Sequence, residues 1–387
     1  MKFAIGASVA ALALAGAADA ADLHVPAQYP TIQAAVDAAV PVDVVLVAPG
    51  EYLETVNLLG KPITLRSVEL HASIIRAPQG SRCVVEESNE PPSTVVEGFT
   101  LGRAGAVGGG VLVSNASPRF MRCRLVSCIN AEGGALRVIG GSAVFDQCDF
   151  SDCVGTGPSG TYGSAGGAHL SGGATTFNAC KFVDCDGGGA ADAILHDVGG
   201  SVVVRDSEIV GGGASNYFGQ VYNAVGSLLV EDTVFDGGNK AAIFAWSPWT
   251  VRRCVFRNMN GYSVLDRRGG QYTIDECRFE DCAVTGPLLA STYSGSFALQ
   301  NTTVCRCTWS GNMIQGAWSD LGGNEFTCPC PGDITGGGEV SGIDLAAVLG
   351  AWGTDGQGKF DCDVNGDGIV NGADLAAVLS GWGPCPS

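Results

Sequence analysis

The chain has 387 residues, of which 58 are glycine and 46% are hydrophobic, so it is rich in turns and still able to bury a sizeable core. It carries 21 lysines and arginines against 39 aspartates and glutamates, which gives a formal net charge of −18. This balance argues against a nucleic-acid-binding protein, because such a protein needs a basic face for phosphates.

The N-terminus has the features of a secretory signal peptide. Lys2 precedes an apolar run over residues 3–17, and small residues at 18 and 20 predict cleavage after Ala20. The apolar run is short for a membrane span of about 20 residues, and no later stretch is long and apolar enough to cross a bilayer. We therefore expect an exported protein, secreted or at the cell surface, without a transmembrane segment.

The mature chain opens with a short predicted helix followed by strands. Residues 31–39 are amphipathic, and Thr31 is placed as the N-cap of this helix. The segments 29–35 and 44–52 resemble the opening of proteins of the pectin-lyase-like superfamily of right-handed parallel β-helices. The resemblance extends over residues 21–327. It implies a fold but no particular activity, because the superfamily contains lyases, hydrolases, esterases, adhesins and surface proteins.

A repeat of about 25 residues runs through the middle of the chain. One unit contains two alternating stretches at 134–138 and 143–145, with glycine-rich corners, followed by a third short segment at 148–153. Three short strands per period predict one coil of a parallel β-helix, since helical repeats need a 3.6-residue pattern and propeller blades need about 40 residues. The repeat units begin at residues 98, 123, 148, 180, 207, 233, 254, 277 and 302.

The repeat arranges most cysteines in two columns. Equivalent residues of adjacent coils lie about 4.8 Å apart in such a fold. Two interpretations stay open, namely a ladder of buried thiols or bridges between coils such as Cys254–Cys277 and Cys282–Cys307. A metal site is disfavoured because the columns lack histidine. The first column contains Cys123, Cys148, Cys180, Cys254 and Cys277, and the second contains Cys128, Cys153, Cys185, Cys282 and Cys307.

One outward column is the candidate ligand-binding site of the β-helix. The alternation over 136–138 directs Arg137 outward, and the same phase gives His169 and then His196 and Tyr222. Stacked arginine, histidine and tyrosine side chains could hold an acidic or neutral glycan through charge and ring stacking. The alternative is a solvated outer face. We recognise neither the paired carboxylates of a hydrolase nor the carboxylates and base of a lyase, so no catalytic residue is predicted.

A second domain is predicted over residues 328–387. The segment 328–332 contains two cysteines and two prolines, and the composition becomes acidic after it. Within the domain, the segment 363–374 has oxygen donors at loop positions 1, 3, 5, 9 and 12 and glycine at position 6, which is the pattern of a Ca²⁺ loop. The predicted ligands are Asp363, Asn365, Asp367, Asn371, Asp374 and the backbone carbonyl of Ile369.

An earlier copy of this loop is degraded. Gly337 stands at position 5, where the second copy has a carboxylate, so we expect weak or absent Ca²⁺ binding there. The remaining candidate ligands of the first loop are Asp333, Thr335, Glu339, Ser341 and Asp344.

The paired loops resemble a type I dockerin, because each has aspartate at position 12 and is followed by a leucine-containing helix. The resemblance implies bound Ca²⁺ and a cohesin-like or cell-surface protein as partner. The chain departs from the family at loop positions 10 and 11, where 342–343 and 372–373 lack the usual hydroxylated pair.

Together, these features predict a secreted protein that acts on or binds extracellular polysaccharide. The favoured interpretation is a non-catalytic glycan-binding or surface scaffold protein tethered through its Ca²⁺-dependent tail. The alternative is a polysaccharide lyase or glycoside hydrolase delivered by its dockerin. The sequence leaves open whether the protein is an enzyme.

Overall fold

The computed structural model describes residues 20–102, 108–157, 164–212, 218–291, 293, 295–326, 332–335, 339–356, 362–365 and 367–385. Residues 1–19 of the predicted signal peptide lie outside the described residues, so its cleavage stays a prediction.

In the described part of the chain, all but two of the strands of residues 22–320 form three long parallel sheets. Each turn of the chain adds one strand to each sheet, so that neighbouring strands come from consecutive turns. Phe145, for example, lies opposite Phe120 of the preceding turn and Phe177 of the following turn. The predicted mostly-β, parallel β-solenoid is confirmed.

The strands are named here by sheet. Sheet 1 consists of Asp22–Val25, Val44–Val47, Thr64–Ser67, Val95–Glu97, Arg119–Met121, Val144–Asp146, Ala174–Asn178, Ser201–Arg205, Ser227–Glu231, Trp249–Arg252, Gln271–Asp275, Ser296–Gln300 and Ala317–Asp320. Sheet 2 consists of Gly50–Leu53, Ser73–Arg76, Thr100–Leu101, Arg124–Val126, Asp149–Ser151, Lys181–Val183, Glu208–Val210, Val234–Asp236, Val255–Arg257, Arg278–Glu280 and Thr303–Cys305. Sheet 3 consists of Val56–Asn57, Arg82–Glu86, Gly109–Ser114, Leu136–Ile139, Ala168–Ser171, Ala191–Val198, Gly219–Asn223, Ala241–Ala245, Leu265–Arg267 and Leu289–Ser291. Two further short pairs join Ile129–Asn130 to Val154–Gly155 and Glu339–Val340 to Gly383–Pro384.

Helix α1, Ile32–Ala38, packs against the first strands of the solenoid. Its N-cap is Thr31, as predicted, and the Thr31 hydroxyl accepts a hydrogen bond from the backbone N–H of Ala34 at 3.1 Å. The apolar face of the helix, formed by Ile32, Ala35 and Val36, is buried. The helix therefore covers apolar surface that the first turn would otherwise expose.

The solenoid interior is filled by columns of like side chains. The rings of Phe120 and Phe145 are stacked with centroids 5.0 Å apart, and the next step to Phe177 is 5.4 Å. A second column stacks Phe150 on Phe182 at 4.4 Å. Because the strands of each sheet are in register, one inward apolar residue per strand adds to a continuous column in each sheet.

The first cysteine column is a column of hydrogen-bond donors. The Cys148 Sγ lies 3.4 Å from the carbonyl oxygen of Asp146, two residues earlier in the chain. Where a turn lacks the cysteine, Ser207 and Thr233 take its place, and their hydroxyls donate to the carbonyl two residues earlier at 2.6 and 2.7 Å. The corner therefore selects a small side chain that satisfies this carbonyl, and cysteine is one of several solutions.

The cysteines of both columns are thiols, so the bridges Cys254–Cys277 and Cys282–Cys307 are not formed. Burial raises the pKa of the Cys148 and Cys153 thiols well above the ordinary value. The chain therefore builds its thiol ladder from small and weakly polar side chains.

The C-terminal segment contains two further helices, α2 (Gly342–Gly350) and α3 (Gly372–Ser380), which contact each other. Their buried core within the described residues is small and contains Val340, Val348, Cys362, Val370 and Val378. No helix in the described ranges is long and apolar enough to cross a membrane.

Candidate functional site

The outward side chains of sheet 3 form a column that contains three of the four predicted ligand-binding residues. Arg137 lies opposite His169. His169 in turn lies opposite Leu195, which lies opposite Tyr222. His196 is one residue further along its strand and belongs to the neighbouring column.

His196 is held inside the protein instead. Its Nδ1 lies 2.8 Å from the Asn223 Oδ1, and its ring is 1% exposed. Burial lowers the pKa of His196, which favours the neutral ring. Residues 194–196 pair in direct register with both neighbouring strands, so Leu195, and not His196, continues the column of Arg137 and His169.

The column is covered rather than solvated at these turns. His169 is 2% exposed, Tyr222 is fully buried at 0%, and the Arg137 side chain is 11% exposed. The ring of Phe218 lies over this face, 4.4 Å from the Tyr222 ring and 4.8 Å from the Phe244 ring. The outer face of sheet 3 therefore carries a second apolar cluster, and these turns do not offer an open stripe.

A hydrogen-bonded network occupies the N-terminal part of the column. Arg137 Nη1 donates to the Ser171 Oγ at 2.8 Å, and the Ser171 hydroxyl donates to the Asp197 Oδ1 at 2.6 Å. The His169 Nε2 lies 2.7 Å from the other oxygen of Asp197. Burial by itself raises the pKa of Asp197, but the hydrogen bonds from His169 and Ser171 and the charge of Arg137 outweigh it and lower the pKa. The carboxylate is therefore ionised and well partnered.

The C-terminal part of the column contains residues that the sequence did not single out. Asp266 lies opposite Phe244 in sheet 3, and Arg268 follows it two residues later. Trp246 and Tyr293 flank this position with exposures of 42% and 59%. Trp246 and Tyr293 lie just beyond strand ends, where alternation no longer tells which face a side chain occupies, so the sequence offered no signal for them.

Asp197 and Asp266 are too far apart to cooperate in hydrolysis. The strand of Asp266 is the third after the strand of Asp197 in sheet 3. Three steps of roughly 4.8 Å give about 14 Å, whereas the carboxyl pairs of glycoside hydrolases are about 5 to 9.5 Å apart. The pair is therefore better placed for contacts with a ligand than for acid–base hydrolysis.

The second predicted Ca²⁺ loop turns its carboxylates toward its own backbone. Asp363 accepts hydrogen bonds from the backbone N–H groups of Asp367 and Gly368 at 3.1 and 2.7 Å. Asp374 accepts from the backbone N–H groups of Asn365 and Asn371 at 3.1 and 2.8 Å. Backbone N–H groups of the same segment therefore partner both carboxylates, and their role as Ca²⁺ ligands stays a prediction.

The donor set fits calcium chemically. Hydrogen bonds from the backbone N–H groups of Asn371 and then Asn365 lower the pKa of Asp374, so this carboxylate stays ionised. Asp374 also forms a capping box with Asn371 at the start of α3, which ties the loop to the helix. Among the residues that the structure describes, no group of three or more His, Cys, Asp or Glu side chains is gathered as a metal cage. Any cation here would therefore also need the amide and carbonyl oxygens of the loop.

The first loop is closed by hydroxyl groups. One oxygen of Asp344 accepts from both the backbone N–H and the hydroxyl of Thr335, at 2.9 and 2.8 Å. Its other oxygen accepts from the N–H and hydroxyl of Ser341 at 2.9 and 3.2 Å. Glu339 lies in a short strand paired with Gly383–Pro384, and Gly337 lies outside the described residues. In the first loop the hydroxyls of Thr335 and Ser341 donate to Asp344, whereas the second loop has asparagines at the equivalent positions 365 and 371. The oxygens of Asp344 are therefore already engaged, and this loop fits a metal less well.

Comparison with known proteins identifies the C-terminal module. Residues 331–380 match the family model of the dockerin type I domain. No curated protein matches the chain.

The solenoid is similar in fold to solved β-helical proteins. The catalytic unit of a GH87 alpha-1,3-glucanase from Streptomyces thermodiastaticus is 12% identical, covers 79% of this chain and 69% of its own, and has a TM-score of 0.50. A pectin methylesterase is 12% identical, with 62% of this chain and 90% of its own covered and a TM-score of 0.44. A pectate lyase is 15% identical, with 81% and 78% covered and a TM-score of 0.43. At these identities the likeness concerns the fold alone.

Proposed function

We propose that this protein is exported, binds extracellular polysaccharide on the outer face of sheet 3, and is tethered through its C-terminal module. The observation that carries the proposal is the match of residues 331–380 to the dockerin type I domain, because such modules occur in extracellular proteins. A cohesin-like or cell-surface protein is the proposed partner. The proposed cleavage of a signal peptide after Ala20 agrees with this location.

Calcium is the proposed cofactor of the tail. Asp363, Asn365, Asp367, Asn371 and Asp374 would hold it together with the carbonyl oxygen of Ile369, and these are the hard oxygen donors that Ca²⁺ prefers. The ion would supply positive charge at the centre of an acidic loop. The capping box at α3 links the loop to the helix, so an ordered loop would favour an ordered helix.

Binding without cleavage is supported by the arrangement of the outer face. The Asp197 carboxylate is fully engaged by His169 and Ser171, and Asp266 is too distant from it to form a hydrolytic pair. The N-terminal part of the column is covered, whereas Trp246 and Tyr293 at its C-terminal end are exposed aromatic groups among the described residues. Exposed aromatic rings are common contacts for sugar rings, since they offer large apolar area and little conformational entropy to lose.

A second candidate function, polysaccharide cleavage, is favoured by one observation. Burial raises the pKa of Asp266 to about 6, against the lowering effect of Arg268. A carboxyl that titrates near pH 6 is suited to donate a proton to a leaving group. Cleavage would then rely on a partner group other than Asp197.

Incubation of the purified full chain with neutral and acidic polysaccharides, with and without Ca²⁺, tests the proposal. We expect retention on at least one immobilised polysaccharide and no release of new reducing ends or unsaturated products. Release of such products would replace binding with the second candidate, and absence of retention on every polysaccharide would remove polysaccharide from the proposal altogether.

A further inference from the structure

We infer that Asp266, Arg268, Trp246 and Tyr293 form a subsite for a neutral, hydroxyl-rich sugar residue. This inference rests on the proposed polysaccharide binding. These four side chains come from three successive turns at the C-terminal end of the outer column of sheet 3. Their arrangement combines an aromatic platform with a buried aspartate and a half-buried arginine.

The aromatic platform is open to solvent. The rings of Trp246 and Tyr293 are stacked, with centroids 5.7 Å apart and planes inclined by 30°. The Arg268 guanidinium lies 4.9 Å from the centre of the buried Phe244 ring and 5.9 Å from that of Tyr293. These contacts fix the arginine beside the platform. A sugar ring placed on the platform would therefore have a positioned donor at its edge.

Asp266 and Arg268 each contain a buried atom without a hydrogen-bond partner. Asp266 is 7% exposed, and its Oδ1 has no hydrogen-bond partner, although it lies 3.5 Å from the Arg268 Nε. The Arg268 Nε is also buried without a hydrogen-bond partner. The two groups attract each other by charge, but one lacks a donor and the other lacks an acceptor. Such buried, unsatisfied groups are costly and uncommon in folded proteins.

The Asp266 Oδ1 and the Arg268 Nε are themselves enclosed, but the Arg268 side chain is 27% exposed and the Asp266 side chain 10%. A sugar hydroxyl can therefore donate its hydrogen to the Asp266 carboxylate and accept through its oxygen from the exposed part of the Arg268 guanidinium. A uronate carboxylate accepts only, so it would satisfy Arg268 while adding a negative charge beside Asp266. The protein's net charge of −18 also opposes the approach of a polyanion. The chemistry thus favours neutral glycans over uronate polymers.

The test measures retention of full-length variants on immobilised neutral glucans and mannans, with polygalacturonate and alginate as acidic probes. Trp246→Ala and Tyr293→Ala should each weaken retention on the neutral polymer roughly tenfold. Asp266→Ala should weaken it similarly, whereas Asp266→Asn should keep most of it because the amide oxygen still accepts the hydroxyl hydrogen. Trp318→Ala is the matched control, since Trp318 is 39% exposed and belongs to the last strand of sheet 1.

The outcomes separate this subsite from the broader proposal. If the wild-type chain is retained and both aromatic variants are retained equally well, the subsite is wrong and polysaccharide binding elsewhere stands. Tighter retention on the uronate polymers, lost in the same variants, would overturn the neutral class of ligand. If the wild-type chain binds no polymer, the proposed function fails and the subsite fails with it. Thermal melting curves confirm that each variant is folded before it is scored.

Discussion

The solenoid and the C-terminal module obtain their stability in different ways. The solenoid has a continuous core in which each turn adds side chains such as Phe145 and Phe150 to an existing stack. The C-terminal module, by contrast, buries a small cluster around Val348 and Val378. A domain of this size buries a smaller share of its surface and usually needs a metal or a covalent link to fold firmly.

The two regions also differ in how they use acidic residues and cysteines. The module has acidic residues in two loops, and each loop ends in a capping box, at Asp344 and at Asp374. Its Cys385 is disulfide-bonded. The solenoid keeps its column cysteines as thiols and repeats apolar packing. We therefore expect the module to respond to calcium and the solenoid to respond to changes in its core.

Removing the calcium donors should have the largest effect, and it should be confined to the module. We expect the double variant Asp363→Ala, Asp367→Ala to lose Ca²⁺-dependent ordering of the tail, because two carboxylates of one loop are removed. Isothermal titration with Ca²⁺ and far-UV circular dichroism of the full chain measure this loss.

The matched control changes the first loop, as Asp333→Ala with Glu339→Ala. The first loop is expected to bind little Ca²⁺, because the oxygens of its Asp344 already accept hydrogen bonds from Thr335 and Ser341. Removing two other acidic residues of this loop should therefore leave most of the calcium response intact. Equal affinity in the variant with both second-loop aspartates removed would show that the second loop is not the site.

A cavity in the core should destabilise the solenoid while leaving calcium binding intact. Phe150→Ala removes a fully buried ring that is stacked on Phe182 at 4.4 Å, and we expect a loss of about 3–5 kcal/mol in the free energy of unfolding. Chemical denaturation followed by circular dichroism gives this value. Leu53→Ala serves as the control, since Leu53 is 70% exposed. A shift in calcium affinity in the core variant would contradict the independence of the two regions.

A buried carboxyl makes the solenoid pH-sensitive. Glu86 is 0% exposed and neither of its oxygens has a hydrogen-bond partner. Burial, and then the charge of Glu90, raise the pKa of Glu86 well above its ordinary value. Between the unfolded pKa of about 4.3 and the raised folded pKa, the folded state binds the extra proton, so stability falls as the pH rises.

Glu86→Gln should remove this dependence. We expect the melting temperature of the variant to exceed that of the wild type by a few degrees at pH 8 and to show no such advantage at pH 4, where the carboxyl is neutral in both states. The neighbouring, exposed Glu87→Gln is the control. Parallel melting-temperature profiles of wild type and Glu86→Gln across this range would refute the assignment.

The smallest effect is expected at a surface ion pair of the solenoid. Both nitrogen–oxygen contacts between Arg253 and Asp232 are 2.6 Å, but the side chains are 42% and 39% exposed. Asp232→Asn should change the free energy of unfolding by no more than about 0.5 kcal/mol, because solvent and salt screen the pair. Denaturation at low and high salt measures this change. A loss in the free energy of unfolding several times larger would mean that surface ion pairs stabilise the solenoid as strongly as buried side chains do.

Local spacing in the sequence was enough to predict the repeating architecture. The cysteine at 148 and its equivalents mark one corner of each turn, so the three strands around it could be located, and Thr31 could be placed as a helix cap. The candidate Ca²⁺ loop at 363–374 could be proposed for the same reason, since its oxygen-bearing residues follow one another within twelve residues. Each of these features depends on neighbours close in sequence or on a constant period.

Tertiary structure decided what the outer face of sheet 3 is. Direct pairing with Leu170 places His196 in the core column, and Phe218 covers Tyr222. Phe244 and Tyr293 became neighbours of Arg268 only through the stacking of successive turns. Sequence by itself determined the period of the solenoid and the order of oxygen donors in the tail. Which side chains meet, and which are reached by solvent, depended on loops of unequal length folding over a regular stack, and no local pattern encodes that.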